Sequence, residues 1–294
     1  MKPELPGFSY QEAFSRNIGW LTEAEQALLR EKRVAIAGMG GVGGIHLLTL
    51  ARLGIGKFHL ADFDTFDLVN FNRQAGAGMS HLGLPKVKVM ADMARDINPE
   101  LDIQLFEDGV SPDNLDRFLT GVDLYLDGLD FFVFEARRAT FSACARNGIP
   151  AVTAAPLGMG TAVLNFLPGC MSFEEYFHFE GQSEEEQAIR FLLGLSPTML
   201  QFSYLVDNKQ VNLAQRRGPS TVMACQICAG VAATEAFKIL IGRGRVLAAP
   251  WGLHFDAYRH KLVKTWRPGG NRNPLQRIAI MVARHQIKKR RAYI

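Results

Sequence analysis

The chain reads as an α/β protein built on a doubly wound, mostly parallel sheet, with an N-terminal helical arm and a crossover insertion. Three observations carry this. A short apolar run from Arg33 to Gly38 ends in glycine and leads into an apolar periodic stretch from Val42 to Leu53, the order of strand, tight turn and helix. Strand-like and helix-like segments then alternate up to Pro168, as they do where parallel strands are joined by crossover helices. Finally, 294 residues that are 48% hydrophobic suffice to bury one large core.

The elements follow in order. Residues 1–30 make the helical arm: from Tyr10 to Arg30 the sequence is amphipathic and rich in helix formers, and Thr22 and Glu25 stand at capping-box spacing. Residues 31–168 make the main α/β half. After the first strand and helix, KFHLADFD is the second strand and VKVMADMARDINP a helix ended by Pro99. LDIQLFED, VDLYLDGLD and IPAVTAAP are further strands, separated by helical patterns from Pro112 to Leu119 and from Phe134 to Asn147. Past Pro168 the pattern changes, and residues 169–219 mix aromatics (SFEEYFHF), an acidic run from Glu184 to Glu186 and chain breakers, the mark of a partly helical crossover. Residues 220–262 return to the same domain with a small-residue helix from Ser220 to Ile241 and strand-like sequence near Leu253 to Asp256. Residues 263–294 form a basic tail.

Composition narrows the setting. No apolar stretch of membrane-spanning length is free of charge, and MKPELPGFSY lacks the basic-then-apolar order of a secretory signal, so a soluble, cytoplasmic protein without membrane contact is expected. Cys144, Cys170, Cys225 and Cys228 are too few for a disulfide scaffold in a chain this long. The net charge of +4 is modest and concentrated in the tail, where Lys288 to Arg291 read as a solvated terminus and not as a DNA-binding surface.

The residues with chemical meaning begin at the first turn. Gly38, Gly40, Gly41 and Gly43 lie between a strand and a helix, where glycine lets backbone N–H groups and the helix N-terminus approach a phosphate. Asp62 ends the second strand, placed to hydrogen-bond ribose hydroxyls. Up to here an NAD(P)-dependent oxidoreductase fits equally well. Four further motifs discriminate: Asp62-Phe63-Asp64, Asn70-Phe71-Asn72-Arg73-Gln74, Gly83-Leu84-Pro85-Lys86 and Asp127-Gly128-Leu129-Asp130.

In the order and spacing of these motifs, from about Phe14 to Asp256, the chain resembles the ThiF/MoeB/HesA-type enzymes related to the ubiquitin-activating E1 proteins. The resemblance implies a Rossmann-like, nucleotide-binding α/β half and an ATP- and Mg²⁺-dependent adenylyltransferase that activates a carboxylate as an acyl-adenylate. It implies that Arg73 and Lys86 reach the triphosphate, Asn70 donates to it, and Asp62, with Asp64 in the same motif, serves the nucleotide. Asp130 would bind Mg²⁺. Arg16 would reach across a homodimer into the neighbour's site. The acceptor implied first is the C-terminal glycine of a small ubiquitin-like or sulfur-carrier protein. Alternatives are adenylation of a modified tRNA nucleoside or a peptide by an ATP-dependent dehydratase or cyclase, and, from other classes, an oxidoreductase or an inactive nucleotide-binding partner subunit.

Two departures stand out. Relatives often hold zinc with two CxxC pairs, whereas only Cys225-Gln226-Ile227-Cys228 has that spacing here; a tetrahedral site needs four ligands, so no zinc is expected and the cysteines read as small core residues. Relatives that pass the acyl group to a thiol carry a cysteine in the crossover, and between Phe173 and Met223 this chain has none.

Overall fold

The computed structural model describes residues 7–211, 215–216 and 218–291. The arm is not one helix. It comprises α1 (Tyr10–Ala13), a 3-10 turn and α2 (Glu23–Glu31), which opens on the expected Thr22/Glu25 capping box. The main half runs β1 (Arg33–Ala37), α3 (Gly43–Leu53), β2 (Lys57–Ala61), α4 (Lys86–Ile97), β3 (Asp102–Phe106), α5 (Leu115–Leu119), β4 (Leu124–Asp127), α6 (Phe134–Arg146) and β5 (Ala151–Leu157). There follow β6 (Gly160–Phe166), α7 (Phe173–Phe177), α8 (Glu184–Leu195), α9 (Val222–Ile241), β7 (Trp251–Asp256), β8 (Lys261–Trp266) and α10 (Pro274–Arg291).

All eight strands join one sheet in the order β3-β2-β1-β4-β5-β6-β7-β8. The first five are parallel, and β6 to β8 add on antiparallel. Side chains of a strand alternate between faces, and β1 shows the result. Val34 and Ile36 enter a core with Leu47 and Leu50 of α3, Met90 of α4 and Ala232 of α9. Ala35 and Ala37 enter a second core with Phe118, Phe141 and the aromatics of α7 and α8. Burial on both faces explains why the central strands read as continuous apolar runs. Helix α9 is long and apolar enough to cross a membrane by composition, yet it packs across β5, β6 and α3.

The expectations for the second half need correction. TAVLNF is β6, hairpinned onto β5 through Gly158 (φ +61°), and KLVKTW is β8. Neither was anticipated, because β6 is buried along its whole length and so lacks the alternation that marks an antiparallel strand. The division at residue 262 falls inside β8. The basic tail beyond it is helical in α10, where Ile280 packs on Ile189 and Leu193 of α8.

Candidate nucleotide-binding active site

The turn after β1 separates the glycines into two kinds. Gly38 has φ +88°, and a Cβ on it would run into the Gly128 backbone, one on Gly43 into that of Gly38, and one on Gly128 into those of Gly38 and Gly43. These three glycines let β1, α3 and the β4 turn meet. Gly40 and Gly41 instead border open space: a Cβ on Gly40 would find only Gln74 Nε2 at 3.7 Å, and one on Gly41 the Arg73 Nε at 3.5 Å and Cys225 Sγ at 3.3 Å. No side chain caps α3, and the N–H groups of Gly40, Gly41, Val42 and Gly43 meet no protein acceptor among the described residues. Free N–H groups at the start of an eleven-residue helix form an anion cradle.

The polar residues converge on this cradle. Asp62 Oδ2 accepts from Met39 N–H at 2.5 Å and Oδ1 from Asp64 N–H at 2.7 Å. Burial lifts its carboxyl above the ordinary value of 3.8, against the opposing effect of those two donors and of Lys86. Lys86, at the first position of α4, is 6% exposed. Its Nζ lies 3.0 Å from Asp64 Oδ2, so the ammonium is held at the site's edge by a half-exposed carboxylate that an anionic ligand can replace. Arg73 donates to Val69 O at 3.1 Å and Asn72 Oδ1 at 3.0 Å and forms no ion pair among the described residues, leaving its charge uncompensated beside Gly41.

Asn70 has a structural part beside any role toward a ligand. It is buried, and its Oδ1 accepts from Asp67 N–H at 2.9 Å. Its carbonyl takes the N–H groups of Arg73 and Gln74, so it builds the turn that presents Arg73, with only Nδ2 left for a ligand. Asp130 is exposed, and its Oδ1 accepts from Phe132 N–H at 3.1 Å. Among the described residues no group of three or more His, Cys, Asp or Glu side chains can enclose a metal, so a Mg²⁺ at Asp130 would share its coordination with phosphate oxygens, as that ion commonly does.

Arg16 is not brought to the site. It is exposed in the 3-10 turn of the arm, which is tied to the far end of α3 by Asn17 Nδ2 and Gln26 Nε2 on Leu53 O and by Tyr10 OH on Gly54 O. At 1.5 Å per residue that end is about 16 Å from the glycine turn. Within one chain Arg16 takes no part.

Arg137 escaped the sequence reading, and the structure adds detail on the cysteines and Gln74. Cys225, at the start of α9, is part of the main core as expected, and its Sγ also lies beside Gly41; burial pushes its thiol up, with the Arg73 charge opposing. Cys228 and Cys144 are buried, but Cys170 is exposed, contrary to the core role expected of it. Arg137 of α6 is 2% exposed and pairs with Asp127 at 2.8 Å. Gln74 Oε1 is buried without a donor beside the cradle. A lone arginine or glutamine in a helical or turn pattern carries no signal of its own.

A mainly apolar groove of about 400 Å³ lies between α9 and β6 to β8, lined by Val231, Leu253, Phe255 and Leu262 together with Arg245 and Lys264. It lies along the later turns of α9 and contains none of the residues just described.

Comparison with known proteins places the fold and the family. Over 151 residues the tRNA threonylcarbamoyladenosine dehydratase of Escherichia coli (strain K12) is 33% identical, a match covering 51% of this chain and 56% of that protein. The chain spans about half the length of this and two further dehydratase relatives. Among solved structures, SeMet PaaA superposes with a TM-score of 0.67 at 18% identity, over 90% of this chain and 76% of that one. E. coli MccB with ATP superposes with a TM-score of 0.64 at 18% identity, over 89% and 73%. At such identity the likeness is one of fold. The sequence match to the family as a whole runs over residues 14–278, and on that ground the chain belongs to the ThiF family.

Proposed function

We propose that this protein is an ATP-dependent adenylyltransferase that joins a carboxylate to AMP. The observation that carries the reading is the set of unanswered positive groups around one turn: four backbone N–H groups at the start of α3 and the unpaired Arg73. A carboxylate oxygen attacks the α-phosphorus, the bond to the β-phosphate breaks, and pyrophosphate leaves with growing negative charge. Donors and cations fixed in advance around that charge lower the barrier. Arg73 and Lys86 supply the cations, Lys86 on leaving Asp64. Asp62 in its ionised form holds the ribose. Asp130 is the group for Mg²⁺, which when bound neutralises phosphate charge. An oxidoreductase has no use for this cationic set, and a silent partner subunit has no use for all of it.

For the acceptor, the relatives move weight from a carrier protein toward the dehydratase reading. The dehydratase similarity and the crossover without cysteine both favour a reaction that ends in loss of water from a carboxylate-bearing modified nucleoside. A helix α10 that carries Arg277 and the Lys288 to Arg291 run, and has no acidic residue of its own, suits an RNA acceptor. The carrier-protein reading keeps support from the family at large. Asp130 and Arg16 can serve one site only if a second copy supplies Arg16, so the proposal includes a homodimer.

The test is incubation with ATP·Mg²⁺ and either tRNA bearing threonylcarbamoyladenosine or candidate carrier proteins, followed by mass analysis. Pyrophosphate release with loss of water from the nucleoside supports the first acceptor, and AMP added to a carrier C-terminus the second. Nicotinamide-dependent absorbance changes without pyrophosphate release would overturn both.

A further inference from the structure

The buried pair Asp127–Arg137 is used by none of the steps above. Taking two charges out of water is costly and is offset only when their remaining lone pairs and protons are satisfied. Here they are. Asp127 also accepts from Thr153 Oγ1 at 2.8 Å and Leu129 N–H at 3.2 Å. Arg137 Nη1 donates to the carbonyls of Val133 at 3.0 Å and Phe131 at 3.3 Å, and Nη2 to those of Leu129 at 2.7 Å and Asp130 at 3.0 Å. One guanidinium therefore holds nearly every carbonyl of the loop that carries Asp130. Its Cζ also stands 4.6 Å from the ring centroid of Phe191 in α8, and Phe131 packs on the same ring at 5.2 Å.

Stability alone does not account for this arrangement, because apolar residues of similar volume commonly replace a buried pair without loss. A planar fork with five donors is, however, suited to pinning several carbonyls of one irregular turn. We propose that Arg137 is a positioning residue: it fixes the 129–133 loop so that Asp130 faces the nucleotide, and through Phe191 it links that loop to the crossover helix α8. The metal half of this inference rests on the reading of Asp130 given above.

Two measurements on the full chain test it. The first is binding of Mn²⁺, observed by its EPR signal in the presence of α,β-methylene-ATP, set against calorimetric binding of ATP in EDTA. The second is amide hydrogen exchange over residues 129–133. The variant is Asp127→Asn/Arg137→Met, which removes both buried charges so that the chain keeps its fold. It should lower nucleotide-dependent Mn²⁺ affinity about tenfold or more, the usual scale for groups that orient a metal ligand. Metal-free ATP affinity should change by less than about twofold, since the cradle is untouched. Exchange over 129–133 should quicken. Arg137→Lys, which keeps the charge but not the fork, should fall between, and Phe191→Leu should shift Mn²⁺ binding in the same direction by about threefold. Parallel loss of Mn²⁺ and metal-free ATP binding, or unchanged exchange over the loop, would overturn the proposal. An Asp130→Asn variant that binds Mn²⁺ normally would instead sink the metal assignment, while the exchange measurement would still decide whether Arg137 holds the loop.

Discussion

After β1, the N–H groups from Gly40 to Gly43 and the Arg73 guanidinium are left without protein partners of opposite charge. After the neighbouring strand β4, Asp127 and Arg137 meet Thr153, Leu129, Asp130, Phe131 and Val133 with hydrogen bonds on almost every available atom. The two turns touch, since Gly38 and Gly43 pack on Gly128. The difference separates two jobs. Groups that meet a ligand stay unanswered in the free protein, whereas groups that hold geometry are saturated by the protein itself. If that division holds, substitutions at the first turn should act on ligand, and those at the second on placement.

The largest effect is expected from removing either cation of the site. Lys86→Ala and Arg73→Ala should each cut pyrophosphate release with a working acceptor by about 10²-fold or more, the usual loss for one contact made to developing charge. Thermal stability of Arg73→Ala should be near normal, since its hydrogen bonds are to exposed loop groups. Near-normal rates in both variants would remove the mechanism.

The glycines give a sharper comparison within one turn. Gly43→Ala would drive a methyl into the Gly38 carbonyl, and overpacking against backbone costs about 1–3 kcal/mol or more. Gly40→Ala meets nothing closer than Gln74 Nε2 at 3.7 Å, and stability should stay within about 0.5 kcal/mol. Its methyl borders the cradle, so ATP affinity should fall while the melting temperature does not. Melting curves and ATP titrations of both variants decide it, and equal destabilisation by the two would erase the distinction between packing and ligand glycines.

How much of this was legible follows the same line. Strand, glycine turn and helix could be read because each repeats a local rule, and Asp62, Arg73, Lys86 and Asp130 because they fall at fixed places in a spaced set. The hairpin of β5 and β6 could not, since TAVLNF is buried on both faces and joins its partner through a turn only two residues long. Arg137 was illegible for a different reason. Its partners are backbone carbonyls, which every sequence has, and one carboxylate already counted in a motif. The position of Arg16 at the end of α3 away from the glycine turn is compatible with the expected reach into a second copy, which one chain's structure does not test.

Arg16 provides the next test. Arg16→Ala and Asp130→Ala homodimers should each be inactive. Random exchange makes half of the dimers mixed, each with one intact site, so about a quarter of the activity should return. Failure to recover activity, with subunit exchange shown by native mass spectrometry, would confine each site to one chain and leave Arg16 a surface residue.

The smallest effect is expected at Asp62, the one cradle residue that is both saturated and a ligand group. Burial raises its carboxyl above the ordinary value of 3.8, so the folded protein holds this proton more tightly than the unfolded chain. Stability therefore falls as pH rises from 3.8 through the raised value, and the penalty then stays constant up to neutral pH. ATP binding runs the other way, because the ribose hydroxyls need the ionised acceptor, and affinity should climb across the same interval. Asp62→Asn removes the charge while keeping an oxygen for Met39 N–H. Its amide nitrogen cannot accept from Asp64 N–H as Oδ1 does, which offsets the relief of the buried charge, so it should melt near the parent at pH 7 and bind ATP less tightly, by under about tenfold, the scale of one hydrogen bond to a charged group. Its affinity should also lose the rise with pH. A variant whose ATP affinity still tracks pH would place the titrating group elsewhere and return Asp62 to a purely structural part in closing the turn on Met39.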